Sequence, residues 1–324
     1  MSQTRLRIGV AGAGYFGRFH AQKVVAGARS VLSGIHDAVP ARAEALAAET
    51  GGRAMGWQAL LDESDAVVIA SPAGTHHAAA AAALRAGRHV LVEKPIAATL
   101  AEADELIGLA QARGLVLQVG HLLRYSPERA AIVARMPRPA YIECTRIAPF
   151  KPRGTDVSVV LDLMVHDLDM VLSLVDAPLE AVDAVGAVVA GDHMDMVNAR
   201  LRFGNGAVAT LVASRLAART ERRMRLFGRE GMLNLDFAAR SLRHVRRPAP
   251  GTVPDVEDAA VAHATWPAAD LIAAEHEAFA AAVLDHAPVL VDGPAGRHAL
   301  AAALRVEAAA IASLERAAAL LAPG

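Results

Sequence analysis

Residues 161–174 read LDLMVHDLDMVLSL, an almost wholly apolar stretch that nevertheless carries Asp162, His166, Asp167 and Asp169. At roughly 100° per residue, Asp162, His166, Asp169 and Ser173 fall on one narrow stripe. Leucines, methionines and valines cover the rest, and Asp167 stands apart. A solvent-facing helix has a wide polar face, so a thin polar seam has two readings. It is a buried seam satisfied by hydrogen bonds, or it faces a cavity that holds a substrate. In the second case the imidazole matters, because its ordinary pKa of about 6.5 lets it take up and release a proton near neutrality. Lys94 stands out for a different reason. Of 33 Lys and Arg residues only Lys23, Lys94 and Lys151 are lysines. Beside Glu93 it reads either as a surface ion pair or as an amine whose pKa can fall so that it trades protons.

A second set of residues could hold a cofactor. Residues 12–17, GAGYFG, are a G-x-G-x-x-G run: Gly12, Ala13, Gly14, Tyr15, Phe16 and Gly17. The run follows an apolar strand and opens a helix, and Asp37 closes the next strand 20 residues beyond Gly17. That context is a dinucleotide fingerprint. Gly12 permits the tight turn, Gly14 lets the backbone approach a pyrophosphate, and Gly17 lets helix and strand pack closely. The helix N-terminus favours the phosphates. Asp37 can accept hydrogen bonds from ribose hydroxyls and would repel a 2′-phosphate, which favours NAD over NADP, although Arg42 lies nearby. SPAGTHH (71–77) and EKP (93–95) also stand at strand ends. Ligands of an open parallel sheet gather there, so Ser71, Pro72, His76, Glu93, Lys94 and Pro95 are expected near one crevice, with His76 rather than His77 facing it.

The elements that must position these groups read as α/β. Strands at 6–11, 30–36, 66–70, 89–92 and 115–119 alternate with helices ending near 26, 50, 86 and 113, and a short strand is expected near 53–55. This rhythm implies a parallel, doubly wound sheet. After about residue 123 it changes. Helices at 126–135 and 158–175 flank a strand at 140–147, and strands follow at 181–189, 196–203, 207–214, 222–228 and 231–236. The division expected is a Rossmann domain over 1–122 and an α+β domain with a largely antiparallel open sheet over 123–324. Residues 248–266 read as a surface loop, and helices at 267–285 and 294–318 close the chain and can pack back on the first domain.

Bulk properties narrow the function. A chain of 324 residues with 54% hydrophobic and 21% charged residues is a folded globular protein, not a disordered one. The net charge of −1 offers no basic excess for nucleic acid or an acidic membrane. Cys144 is the single cysteine, which excludes an intramolecular disulfide and a cysteine metal cluster and suits a reducing cytoplasm. No metal site is expected. The N-terminal apolar run is interrupted by glycine where a signal peptide would continue, and no stretch offers about 20 uninterrupted apolar residues for a membrane span.

GAGYFG, the strand-end Asp37, VEKP, and D-x-x-x-H at Asp162 and His166 together resemble the Gfo/Idh/MocA family of nicotinamide-dependent oxidoreductases. The resemblance runs along nearly the whole chain. It implies a Rossmann domain, a second domain whose open sheet mediates a homodimer or homotetramer, and catalysis by Lys94, Asp162 and His166. VGHLLRYSP (119–127) and the stretch 146–169 are similar to the UDP-N-acetylglucosamine 3-dehydrogenase-like branch, with Tyr125 and Ser126 replacing Phe and Asn. That branch implies a nucleotide-sugar substrate, for which Arg124, Tyr125, Arg146, Lys151 and Arg153 are candidate ligands beside Asp162 and His166, the cations suiting a pyrophosphate. His166 is the natural proton acceptor, with Lys94 stabilising a developing alkoxide; the reverse assignment stays open. Three alternatives remain: an NAD-dependent glycosidase, a dehydrogenase of a free sugar or inositol, and a catalytically silent NAD-binding regulator.

Overall fold

The computed structural model describes residues 5–151, 157–249, 251 and 261–321. These form two units, one built from residues 1–125 and 270–300, the other from 126–269 and 301–324. The helix after residue 270 and the first turns of the last helix group with the first unit.

In the first unit β1 (Leu6–Ala11), α1 (Tyr15–Ala26), β2 (Ser30–His36), α2 (Pro40–Thr50), α3 (Trp57–Glu63), β3 (Ala66–Ile69), α4 (His76–Arg85), β4 (His89–Glu93), α5 (Leu100–Arg113) and β5 (Leu117–Gly120) follow one another. The strands pair in parallel in the order β2-β1-β3-β4-β5. Both faces are covered, so β3 is a continuous apolar run, Ala66, Val67, Val68 and Ile69 all being 0% exposed. The segment near 53–55 is a single bridge, Ala54 to Ile35, not a strand. Helix α5 starts where it does because Thr99 and Glu102 form a capping box, each side chain accepting the other's backbone N–H. Helix α8 (Leu271–Leu284) also belongs to this unit, and its Phe279 is fully buried with Ile8, Val24, Val68 and Leu91.

The second unit contains α6 (Pro127–Arg135), β6 (Tyr141–Ile147), a π-helical turn (Val160–Met164) leading into α7 (Val165–Leu174), and then β7 (Leu179–Ala187), β8 (Met196–Phe203), β9 (Val208–Ser214), β10 (Glu221–Gly228), β11 (Gly231–Asp236), β12 (Ser241–Arg246) and β13 (Val261–Thr265). Strand β13 lies inside the stretch read from sequence as a surface loop; it pairs antiparallel with β12. The sheet order is β13-β12-β11-β10-β6-β9-β8-β7, antiparallel except where β6 meets β9. One face alternates into the core through Ile142, Cys144, Val197, Ala199, Leu201, Ala209, Leu211, Met224 and Leu226. The opposite face mixes Tyr141, Glu143, Thr210, Val212 and Phe227 with exposed arginines such as Arg200 and Arg225. Helix α9 (Gly293–Leu321) runs from the first unit into the second.

Candidate active site

The glycine-rich turn has the backbone that its spacing predicts. Gly12 has φ +101°, and a Cβ there would stand 2.6 Å from the backbone of Ala70 and Ser71. A Cβ on Gly17 would stand 1.7 Å from the Gly12 carbonyl oxygen, so only glycine allows α1 this close to its own entry turn. At Gly14 a Cβ would meet nothing within 4 Å. Gly14 is also the N-cap of α1, with no side-chain cap and no acidic residue in the first turn. The N-terminal N–H groups of a 12-residue helix thus face outward beside an open backbone, a cradle that suits a pyrophosphate. Tyr15 is exposed and packs edge-on against Phe16 and Phe19 beside this cradle.

Asp37 is half-buried at the end of β2. One carboxylate oxygen accepts the Ala13 N–H at 2.7 Å and the other accepts the Val39 N–H at 2.8 Å. The carboxylate therefore braces the glycine-rich turn and keeps further acceptor capacity for ribose hydroxyls. Ser71 and Pro72 follow β3, where the Ser71 hydroxyl is 2.7 Å from that of Thr75. The residues present fit a dinucleotide: Gly12, Ala13, Gly14, Tyr15, Phe16 and Gly17 form the turn and helix start, with Asp37 at its flank.

Two residues expected at the crevice turn inward instead. His76 is 1% exposed, with Nδ1 2.7 Å from the Pro95 carbonyl and Nε2 2.9 Å from that of Ser71. Its ring is a strut joining the loops after β3 and β4, with both nitrogens engaged by backbone. Glu93 is 6% exposed; its Oε1 lies 2.9 Å from His20 Nε2, and its Oε2 accepts the Lys94 N–H at 3.2 Å. The Glu93 carboxylate is thus committed to His20 and to the Lys94 backbone. Lys94 and Pro95 are half-buried at the end of β4. Arg124 and Tyr125 are half-buried in a short 3-10 turn after β5. Ser126 caps α6 by accepting the Arg129 N–H at 3.2 Å. Asn and Ser are equally good caps, so Ser at this position keeps the helix start.

In the second unit the expected α-helix begins instead as a π-helical turn, and Asp162 sits inside it. Such wide turns are rare and gather at functional sites. Asp162 and His166 are half-exposed, whereas Asp167 and Asp169 are 5% and 1% exposed. Of the stripe read from sequence, Asp162, His166 and Ser173 are therefore partly exposed and Asp169 alone is buried. Arg215 anchors the chain just before this turn: its Nη1 donates to the Val157 carbonyl at 3.0 Å and its Nε donates to Asp195 at 2.7 Å.

Arg146 has a different job from the one its sequence neighbourhood suggests. It is 5% exposed, and its Nε and Nη2 donate to the two oxygens of Asp167, each at 2.7 Å. Burial lowers its proton affinity, but Asp167 more than offsets this and holds the guanidinium above its ordinary pKa. The structure thus corrects the placing of Arg146 among substrate ligands: it is half of a core ion pair that ties β6 to α7. It also explains why Asp167 stands off the stripe. Lys151 is exposed, and Arg153 lies outside the described residues.

Sequence reasoning missed a buried polar group in the first unit. His20 on α1 and Glu275 on α8 are 0% exposed, and His276 on α8 is 5% exposed. His20 Nδ1 is 2.9 Å from His276 Nε2. The available signal was a histidine among the apolar residues of α1 and an adjacent Glu-His pair on an otherwise apolar helix.

A doubly wound parallel sheet with a glycine-rich turn opening α1, followed by a unit with a mostly antiparallel sheet, defines the architecture of a dinucleotide-dependent oxidoreductase. Residues 6–121 match the oxidoreductase family with NAD-binding Rossmann fold, and residues 132–234 match the GFO/IDH/MocA C-terminal domain. The chain belongs to the Gfo/Idh/MocA family. It is 44% identical to UDP-N-acetylglucosamine 3-dehydrogenase of Acidithiobacillus ferrooxidans over 96% of this chain and 99% of that one. The solved structure of that dehydrogenase superimposes with a TM-score of 0.89 over the same shares of the two chains, at 42% identity. An inositol 2-dehydrogenase of Rhodococcus erythropolis is 31% identical over 56% of each chain. Among the described residues no helix is long and apolar enough to cross a membrane.

Proposed function

We propose that the chain oxidises the 3-hydroxyl of UDP-N-acetylglucosamine, or a closely related UDP-N-acetyl sugar, with NAD. The substrate rests on the 44% identity that runs along 99% of a UDP-N-acetylglucosamine 3-dehydrogenase. The chemistry rests on one observation: Asp162, on a π-helical turn, and His166, at the start of the α-helix that follows it, stay partly exposed while Asp167 and Asp169 beside them are buried. A purely structural seam would be closed along its whole length.

In this reading the bound nicotinamide supplies the hydride acceptor. The cradle of residues 12–17 and Asp37 hold the dinucleotide. His166 takes the hydroxyl proton, and Asp162, four residues earlier, orients the imidazole and fixes its tautomer. Lys94 hydrogen-bonds the reacting oxygen and stabilises the negative charge that develops on it. An assignment with Lys94 as proton acceptor and His166 as orienting group uses the same residues. Arg124, Tyr125 and Lys151 are the remaining described candidates for holding the sugar nucleotide. The free, buried Cys144 and the nicotinamide chemistry are in keeping with a cytoplasmic setting.

The test is a screen of UDP-sugars with NAD and NADP, read by absorbance of the reduced cofactor. The expected result is turnover of UDP-N-acetylglucosamine with NAD preferred, and Asp37→Ala should weaken NAD binding more than NADP binding. Faster turnover with NADP at equal concentration would overturn the ribose argument. Free reducing sugar without net NADH would replace the dehydrogenase by a glycosidase.

The mixed face of the second unit's sheet supports a homo-oligomer. Tyr141, Val212 and Phe227 lie on it, no helix falls between α7 and α8 among the described residues, and an antiparallel sheet face of this composition suits a partner. Light scattering should give a multiple of the 33.7 kDa chain mass, a dimer or tetramer, at micromolar concentration. A monomer would refute this.

A further inference from the structure

The π-helical turn that carries Asp162 is bracketed by two buried arginine–aspartate pairs, and the two are built differently. Just past the turn, Asp167 on α7 accepts from both Nε and Nη2 of Arg146. Just before it, Arg215 divides its fork. Its Nε donates to Asp195 at 2.7 Å, while its Nη1 donates to the Val157 carbonyl at 3.0 Å. Asp195 is 0% exposed and Arg215 5%. The second Asp195 oxygen accepts the Val189 and Ala190 N–H groups at 2.8 and 2.7 Å, and the Asp195 carbonyl accepts the Arg215 N–H at 2.9 Å. Asp195 thus holds Arg215 through side chain and backbone, and Arg215 reaches from the end of β9 to the chain entering the turn.

The entry itself is closely packed. The Val159 N–H donates to the Met194 carbonyl at 2.9 Å, Ser158 is 2% exposed, and Val159 and Val160 are 0% exposed. From there the route to the site is short. The Asp162 N–H donates to the Ser158 carbonyl at 3.1 Å, so the residue next to Val157 sets where Asp162 stands in the turn. His166 follows four residues later at the start of α7. A tie between β9 and the chain before β8 needs only the Arg215–Asp195 contact, and apolar groups of similar volume commonly serve such a tie as well as an ion pair. The branch on Val157 adds nothing to that tie. It acts on the entry to the turn.

We propose that Arg215 is a positioning residue: held by Asp195, it clamps the Val157 carbonyl, fixes the entry of the π-helical turn, and so sets where Asp162 stands relative to His166. The effect on turnover rests on the dehydrogenase reading; the effect on the turn stands by itself. The residue type matters. A guanidinium is a rigid planar group whose donors point in several directions, so one side chain holds the carboxylate and the carbonyl at fixed separation. A lysine ammonium on a flexible stem can neutralise Asp195 but does not lock both acceptors in place. Moving a group of an active site by about 1 Å costs on the order of 10²-fold in rate. The hydrogen bond from Asp162 back to Ser158 passes a shift of the entry directly to the residue that carries the carboxylate.

The test uses Arg215→Lys in the full-length protein, because this change keeps a cation opposite Asp195 and strands no charge. The variant should fold, bind NAD with wild-type affinity and keep the wild-type KM for NAD. Its kcat on UDP-N-acetylglucosamine should fall by about 10²-fold. Hydrogen–deuterium exchange read by mass spectrometry should be faster over residues 157–166 and unchanged in the Rossmann unit. A second protein, Arg215→Met with Asp195→Asn, separates positioning from packing. It strands no charge and keeps an oxygen for the Val189 and Ala190 N–H groups, so it should melt above Arg215→Met alone and still lack turnover. It also carries the same two readouts should Arg215→Lys fold poorly. Full turnover per folded molecule in either protein would reduce Arg215 to a packing residue and overturn the proposal. Unchanged exchange over 157–166 overturns it whatever the substrate proves to be. Wild-type protein that fails to turn over UDP-N-acetylglucosamine refutes the substrate assignment alone, because the exchange rates still decide whether Arg215 holds the turn.

Discussion

His166→Asn should fold, bind NAD with unchanged affinity, and lose roughly 10²–10⁴-fold in turnover, the usual worth of a general acid–base group. The substitution keeps a polar side chain of similar reach but removes the group that titrates near neutrality. Its small effect on stability follows from position. His166 is half-exposed at the start of α7, while the residues that hold this helix against the sheet, Val165, Leu168, Met170 and Val171, are at most 1% exposed. Asp167 carries the buried ion pair next door and is untouched. Lys94→Met should behave similarly and also shift the pH profile of kcat/KM, because it removes the cation expected to stabilise the developing alkoxide. Turnover on UDP-N-acetylglucosamine, NAD titration and thermal melting on the same preparations separate the outcomes. A His166→Asn protein with near wild-type turnover and a depressed melting temperature would make the histidine scaffolding. It would also return the π-helical turn to a packing feature.

The parts of the site that were legible in the sequence are those fixed by local backbone geometry. Gly12 and Gly17 follow from a turn that must pass close to β3 and to its own helix, and Asp37 follows from its distance along the chain. Even there the spacing did not reveal that Asp37 also braces the turn through the Ala13 N–H. The Asp162–His166 stripe was legible because any helical winding brings residues four apart onto neighbouring positions. The π-helical turn was not, since a period of about 100° per residue presumes an α-helix. What the sequence hid most fully depends on long-range partners. His20 and His276 are 256 residues apart, and the return of α8 to the first unit leaves no local signature. His76 shows the same limit: its position beside the crevice was legible, but the two carbonyls that hold its ring belong to two different loops.

Arg146 is the residue where sequence and structure part most sharply, and its substitution should act on stability rather than on substrate affinity. Its neighbours in the chain, Lys151 and Arg153, suggested a cluster for a pyrophosphate. But alternate residues of a strand point to opposite faces, and Arg146 lies on the face of β6 that buries Ile142 and Cys144. There it meets Asp167 through two parallel hydrogen bonds of 2.7 Å. Removing one partner strands the other charge in the interior, which costs about 3–5 kcal/mol. Arg146→Met should therefore lower the melting temperature by roughly 10 °C for a domain of this size, with KM for the nucleotide sugar unchanged in the folded fraction. Asp167→Asn should be at least as damaging, because Arg222 stands opposite Arg146 in β10 and the two guanidiniums would face each other without a counter-charge. The double variant Arg146→Met with Asp167→Leu should recover most of the loss, since apolar groups of similar volume commonly replace a buried ion pair at little cost. Differential scanning calorimetry on the three variants, with KM measured in parallel, decides the matter. An Arg146→Met protein that melts like the wild type but binds the nucleotide sugar tenfold more weakly would restore this arginine to the substrate.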